Sequence, residues 1–540
     1  MKKRMMMVAL AGVMAASAAG VFAGCNGASA NTYEWLITRD DNTPYTNAEN
    51  AVMNYWQEQT GVSITWYDPS SGAEAWSQQL IDGEYSHIVD LALNTDDLST
   101  LEAEGVVWNI APYIEEYMPN FNALLNSEQW SDIRRSISYG DAIYTIPIIE
   151  ETVGTWGGYM YRHDMVTAVR GEDFAWPSGE EEPTTIADWE YIMEAVLDYY
   201  EQNNTVGAYP MYLAPEGYYQ IGTILAGYGI GGGEYLDGDT VKFGIYEDAM
   251  YDYLTTVRSW VEKGYISPDF SAADYIFPAI DNNSVLANRL GIFFGYTNQL
   301  GGQLEGKIAG ATGIDIRPLA NPVVEEGRDP IGLVSPDNVT RAMPSTGYAI
   351  TTACSEEEMK TLLTALDWWF SEEGSRTRTM GLSSAQGAAD VDYYVEVGVT
   401  NGTREPNSAV WTEEMDNCSA EQINYFTADR MPGVRVSYPT RSCDEDYQTM
   451  GDSAWAKYGT SATYPYSLST ELSSEDATRA TVLSQEINEY ATGAIQNFLL
   501  GRTELNETTF AAYQAEIERL GVAEYLAIRQ DVYNKHYGLA

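Results

Sequence analysis

AENAVMNYWQEQTGVSITW, residues 48–66, changes its period once, at Gly61. Before that glycine, Ala51, Val52, Tyr55 and Trp56 recur at helical spacing and share one apolar face. Gly61 is the stop such a helix needs, since glycine enters the left-handed region without strain. After it, Val62 to Trp66 alternates, the period of a half-buried strand. Working outward, Tyr33 to Thr38 reads as an earlier strand, Trp76 to Ile81 as a helix and His87 to Leu93 as a buried strand. Strand, helix and strand in that order predict an α/β lobe with a largely parallel sheet.

A second α/β region follows Ile143. Thr185 and Asp188 have the spacing of a capping box, and Trp189, Ile192, Met193, Val196 and Tyr200 then keep helical spacing. Another helix is expected over about Glu247 to Lys263, with Met250, Leu254, Val257 and Val261 inside and Gly264 as its stop. Ser355 and Glu358 form a further capping box before Met359, Leu362, Leu363, Leu366 and Phe370. The last stretch reads as helices, with stripes from Ala480 to Phe498 and from Phe510 to Leu520, stopped by Gly501 and Gly521. The chain has no internal repeat and no long low-complexity tract, and at 540 residues it suits two or more lobes.

The amino end has its own pattern. Met1-Lys2-Lys3-Arg4 precedes an apolar run from Met5 to Phe22, then Ala23-Gly24-Cys25. A charged start, a short apolar core and small residues before a break describe a secretory signal. The run is short for a membrane span, which needs ~20 residues. Ala-Gly-Cys looks like a bacterial lipobox, with Phe22 where Leu is usual, so Cys25 is expected to be the lipidated first residue of the mature chain. Asn26 to Asn31, small and polar, would be its tether. A plain secreted protein cut near Ala23 is the other reading.

Net charge is −50, and three of the 29 basic residues lie in the first four positions. Such a surface repels nucleic acid and anionic membrane, which need basic patches. Forty Tyr against 12 Phe, with 14 Trp, give many rings that join an apolar face to a polar edge. Sugars match such rings, although for any single one core packing is the commoner use. After Cys25 only Cys354, Cys418 and Cys443 remain. Cys418 and Cys443 have the option of pairing, but this is no disulfide scaffold.

Catalytic and cofactor signatures are missing. His87, His163 and His536 are not spaced as metal ligands, and no G-x-S-x-G or P-loop occurs. Gly227 to Gly232 fits G-x-G-x-x-G, but the loop Glu234 to Gly238 follows it where a dinucleotide site needs a helix. Carboxylates are too many for a paired-acid argument to mean anything. No cofactor, no metal and no enzyme activity are expected.

Several segments together resemble the family 1 extracellular solute-binding proteins, the group that includes maltose-binding protein. Gly140-Asp141-Ala142-Ile143-Tyr144-Thr145-Ile146-Pro147 is similar to a characteristic strand of that family. Tyr159 to Met165, Pro183 to Trp189, Lys263 to Phe270, Gly347 to Ile350 and Trp369 to Gly374 are similar to later segments in the same order. Gly501 to Tyr537 resembles the closing helices of large lipoprotein members from Gram-positive bacteria. The resemblance implies a two-lobed α/β periplasmic-binding-protein fold (type II), each lobe a mixed sheet flanked by helices. Residues 32–149 with about 347–410 would form one lobe, and about 150–346 with about 411–540 the other. It implies a lipid-anchored, monomeric subunit that captures an oligosaccharide in a cleft and delivers it to the permease subunits and cytoplasmic ATPase of an ABC importer. The membrane would be met through the anchor only. Large members often carry an acidic calcium loop where this chain has Glu201 to Gly207, which lacks the carboxylates, so no calcium is expected.

Ligand residues are expected on loops at the carboxyl ends of strands. Asp40 and Asp41 follow the first strand, Asn94 and Asp96 the third, and Glu150 and Glu151 lie at the first crossover. By position Asp96 and Glu151 correspond to sugar-contacting acids of the family. Tyr296 follows the strand Leu290 to Phe294, where the family often places a stacking ring, and Trp76, Trp156, Tyr219 and Tyr438 are further ring candidates. A binder of peptides or another polar solute on the same fold, and an extracellular carbohydrate-active enzyme, are the alternatives.

Overall fold

The computed structural model describes residues 32–38, 46–94, 98–151, 153–219, 224–272, 282–300, 313–336, 339–343, 345–383, 386, 394–396, 399–400, 403–404, 409–411, 427–436, 444–465, 468 and 472–539. The strands of its two main sheets are, in chain order, β1 (Thr32–Leu36), β2 (Ser63–Tyr67), β3 (Ile88–Asp90), β4 (Ile146–Glu150), β5 (Gly157–Arg162), β6 (Ile292–Tyr296), β7 (Ile316–Pro318), β8 (Gly347–Ile350) and β9 (Gly433–Arg435). The chain divides into two compact units: Met1–Thr152 with Arg341–Ser442, and Val153–Thr340 with Cys443–Ala540.

The first unit holds a six-stranded sheet in the order β9-β4-β8-β3-β1-β2. β1 is parallel to β2 and β3, and β9 to β4, while β8 runs antiparallel to both its neighbours. The helix read from residue 48 onward spans Ala51–Thr60. It starts late because Asn50 accepts from the Val52 and Met53 amides, which stabilises the end by about 1 kcal/mol. Gly61 ends it at φ 73°. The strand expected over His87 to Leu93 stops at Asp90. The Asp90 carboxylate accepts from the Ala92 amide and from Thr38, which folds 91–93 into a short turn. Trp56 packs between Trp35 and Trp369 and donates to the Ala365 carbonyl at 2.9 Å. Ala428, Met431 and Val434 complete this core. Residues 427–436, expected with the second unit, therefore belong to the first, because β9 pairs with β4 rather than with the later strands.

In the second unit β5 is the centre of a three-stranded sheet, antiparallel to β6 and β7. Met211 adds a single parallel bridge to Ile292. The Thr185/Asp188 capping box forms, and Trp189, Ile192, Met193, Val196 and Tyr200 are buried on helix Ile186–Asn203. Helix Met250–Glu262 packs with the closing helices Ser474–Leu499, Glu507–Leu520 and Val522–Tyr537 around one core. The Tyr513 hydroxyl donates to the Ile245 carbonyl at 2.7 Å within it. The glycine run serves close packing: a Cβ on Gly244 would lie 1.6 Å from the Gly231 carbonyl oxygen.

In the stretch Glu201 to Gly207, Asn203 ends a helix and Asn204 turns with φ 53°. Among the described residues no group of three or more His, Cys, Asp or Glu is placed to hold a metal, and no helix is long and apolar enough to cross a membrane. Cys354 is a buried free thiol, its pKa pushed up to about 12 by burial. The Cys418–Cys443 option and Cys25 lie outside the described residues.

Candidate functional site

Two edges carry the expected groups, one in each unit. In the second unit the edge begins where β5 and β6 meet, with Tyr296 opposite Gly157. β6 runs two residues further than expected and takes in Gly295 and Tyr296. The reason is Gly157 and Gly158 on the partner strand: a Cβ on Gly157 would lie 2.6 Å from the Gly295 carbonyl oxygen. The rings then form a graded stack. Phe294 is fully buried and stacks on Tyr219 at 5.0 Å and 20°, and Tyr159 meets both edge-on. In front of them Trp156 lies 6.1 Å from Phe294 and 5.6 Å from Tyr296, tilted 45° to the latter. Trp156 and Tyr296 are half-buried, so part of each ring meets solvent.

Their backbone is held firmly. The Thr297 amide donates to the Trp156 carbonyl at 3.0 Å, and the Tyr296 amide to the Gln299 side chain at 2.8 Å. Thr155 donates through its amide and hydroxyl to Asp452 on helix Asp444–Trp455. Trp455 from that helix covers Gly158 and donates to the Tyr159 carbonyl at 2.8 Å. Partial burial raises the Tyr296 pKa, so its phenol keeps its proton at neutral pH and remains a donor. Such an edge offers flat apolar faces with polar rims.

In the first unit the polar edge lies where β1, β3, β4 and β9 end. Glu150, the last residue of β4, pairs with Arg435 at 2.5 Å, and Arg435 also pairs with Asp429 at 2.7 Å. Burial, then the neighbouring Asp429, raises the Glu150 pKa, and Arg435 opposes the shift. Fully buried Arg378 donates to the Asp429 and Met431 carbonyls, and exposed Arg430 donates to the Thr38 carbonyl at 3.1 Å. Glu151 is half-exposed, and its backbone is tied by its amide to the Arg435 carbonyl at 3.0 Å.

Of the expected ligand residues, the structure brings Trp156, Tyr219 and Tyr296 into one aromatic group and places Glu151 on the polar edge. Tyr219 is only 4% exposed and forms the layer behind the other two. Trp76 is a core residue. It is 2% exposed, and its indole donates to the Asn94 side chain at 3.0 Å. Asp40, Asp96 and Tyr438 lie outside the described residues. Arg430 and Arg435 were missed. Their arrival at this edge depends on β9 joining β4, which no local pattern announces.

The family model for bacterial extracellular solute-binding proteins matches residues 40–375. The chain belongs to that family. No curated protein matches it. Similar solved structures include the Streptococcus pneumoniae ABC-transporter substrate-binding protein FusA in complex with kestose, at 17% identity and a TM-score of 0.70, covering 94% of this chain and 100% of that one. An HMO-binding, ABC-transporter-associated solute-binding protein from Bifidobacterium longum infantis is 16% identical, with a TM-score of 0.68 over 94% and 99%. The alginate-binding protein AlgQ2 without calcium ion is 17% identical, with a TM-score of 0.61 over 93% and 98%. At these identities the likeness establishes the fold, that of two-lobed solute-binding proteins, and this member of the family shares it.

Proposed function

We propose that this protein captures an oligosaccharide and delivers it, unaltered, to an ABC importer. The observation that carries the reading is the pair of half-exposed rings, Trp156 and Tyr296, fixed at the end of a rigid sheet. Sugar rings present C–H faces that such aromatics cover, while Glu151 on the polar edge supplies an acceptor for hydroxyls. The kestose bound to FusA and the glycans that name the HMO-binding protein and the alginate-binding protein AlgQ2 support the ligand class. The lobes would close on the solute by hinge bending, in a monomer that meets the membrane only through a lipid on Cys25.

The test is a calorimetric titration of the chain from Asn26 with neutral and acidic oligosaccharides and short peptides. Saturable binding of one glycan class, with the glycan recovered intact, is expected. Binding to peptides alone would overturn the ligand class, and a shortened glycan would mean catalysis. The anchor has a separate check. A palmitate analogue fed to cells expressing the full chain should label it, and Cys25→Ala should abolish the label. Equal labelling of both would remove the anchor.

A further inference from the structure

Arg341 is the first residue of the first unit after the second crossover, and it reaches the first crossover directly. Its carbonyl accepts from the Glu150 amide at 2.8 Å. Its guanidinium returns along the same strand end, Nε to the Glu150 carbonyl at 3.2 Å and Nη2 to the Glu151 carbonyl at 3.3 Å. The remaining nitrogen, Nη1, donates to the Gln129 carbonyl at 3.1 Å and lies 3.6 Å from Asp132. The guanidinium plane sits over the Trp130 ring, 3.7 Å from its centre. On the far side, the Arg435 carbonyl accepts the Glu151 amide at 3.0 Å.

Glu151 is thus gripped at its amide by β9 and at its carbonyl by Arg341, while its side chain stays half-exposed. A planar five-donor fork stacked on a ring can serve three carbonyls at once; a lysine ammonium cannot hold that geometry. We propose that Arg341 is a positioning residue for solute binding: it fixes the backbone of Glu151, so that this carboxylate meets the solute in one orientation, and it makes the segment up to Glu151 move as part of the first unit. This rests on the oligosaccharide reading above.

The test compares Arg341→Lys and Arg341→Met with wild type. In the protein without ligand, hydrogen exchange at the Glu150 and Glu151 amides should rise about tenfold in both variants, the loss of roughly one hydrogen bond. The dissociation constant for the oligosaccharide should rise by about the same factor. In a Glu151→Ala background the affinity effect of Arg341→Lys should vanish, because the group it positions is gone. An equal loss of affinity in that background would overturn the proposal, as would unchanged exchange. If wild type bound no oligosaccharide, the ligand reading would fall, while the exchange measurement would still decide whether Arg341 holds Glu151. Should Arg341→Met fail to fold, Arg341→Lys carries both arms.

Discussion

Replacing Trp156 and Tyr296 together with Ala is expected to weaken oligosaccharide binding about 100-fold or more while leaving the protein folded. Each ring covered by a solute contributes about 2 kcal/mol, and each 1.4 kcal/mol is tenfold in affinity. The single replacements should each cost on the order of 30-fold by the same reckoning. They will not add fully, because the two rings touch at 5.6 Å and each shapes the surface the other presents. Folding should survive because the core beneath is complete without them. Phe294, Tyr219 and Tyr159 already close on one another. Calorimetric titration gives the affinity and thermal unfolding the control. Wild-type affinity in the double variant would remove this edge from the site.

Gly158→Val should do the opposite, lowering stability first and binding as a consequence. A Cβ at residue 158 would stand 2.5 Å from the Trp455 indole, far inside contact distance. The indole has no room to swing away, since it is buried and bonded to the Tyr159 carbonyl. The sheet or helix Asp444–Trp455 must shift, at a cost of about 3 kcal/mol, the upper part of the usual range for overpacking. That helix also carries Asp452, which holds Thr155 beside Trp156, so the aromatic edge should loosen with it. The expected readings are a thermal midpoint lowered by several degrees and weaker binding. An unchanged midpoint would show that Trp455 does not constrain β5 as described. Together the two experiments separate rings that touch the solute from glycines that let those rings be placed.

Much of the scaffold was legible because its causes are local. The period change at Gly61, the Thr185/Asp188 and Ser355/Glu358 caps and the buried stripe from Trp189 to Tyr200 depend on residues a turn or two apart. Errors arose where a side chain reached across the sequence. Asp90 reached Thr38 and cut a strand short. Trp76, an attractive ring on paper, found Asn94 and went into the core. Other Trp residues that suggested a sugar surface behave the same way: Trp35, Trp56, Trp189, Trp260 and Trp369 are all fully buried.

The sequence by itself determined the alternation of strands and helices, the family, and the acidic character of the chain, since each follows from residue type and short-range spacing. Only the tertiary structure decided that β9 returns to β4 and brings Arg435 to Glu150, that Arg341 grips Glu151, and that Tyr219 stands behind Trp156 and Tyr296. Those outcomes join residues 63 to 285 positions apart, and their energy comes from burial and pairing that exist only once the sheets have closed.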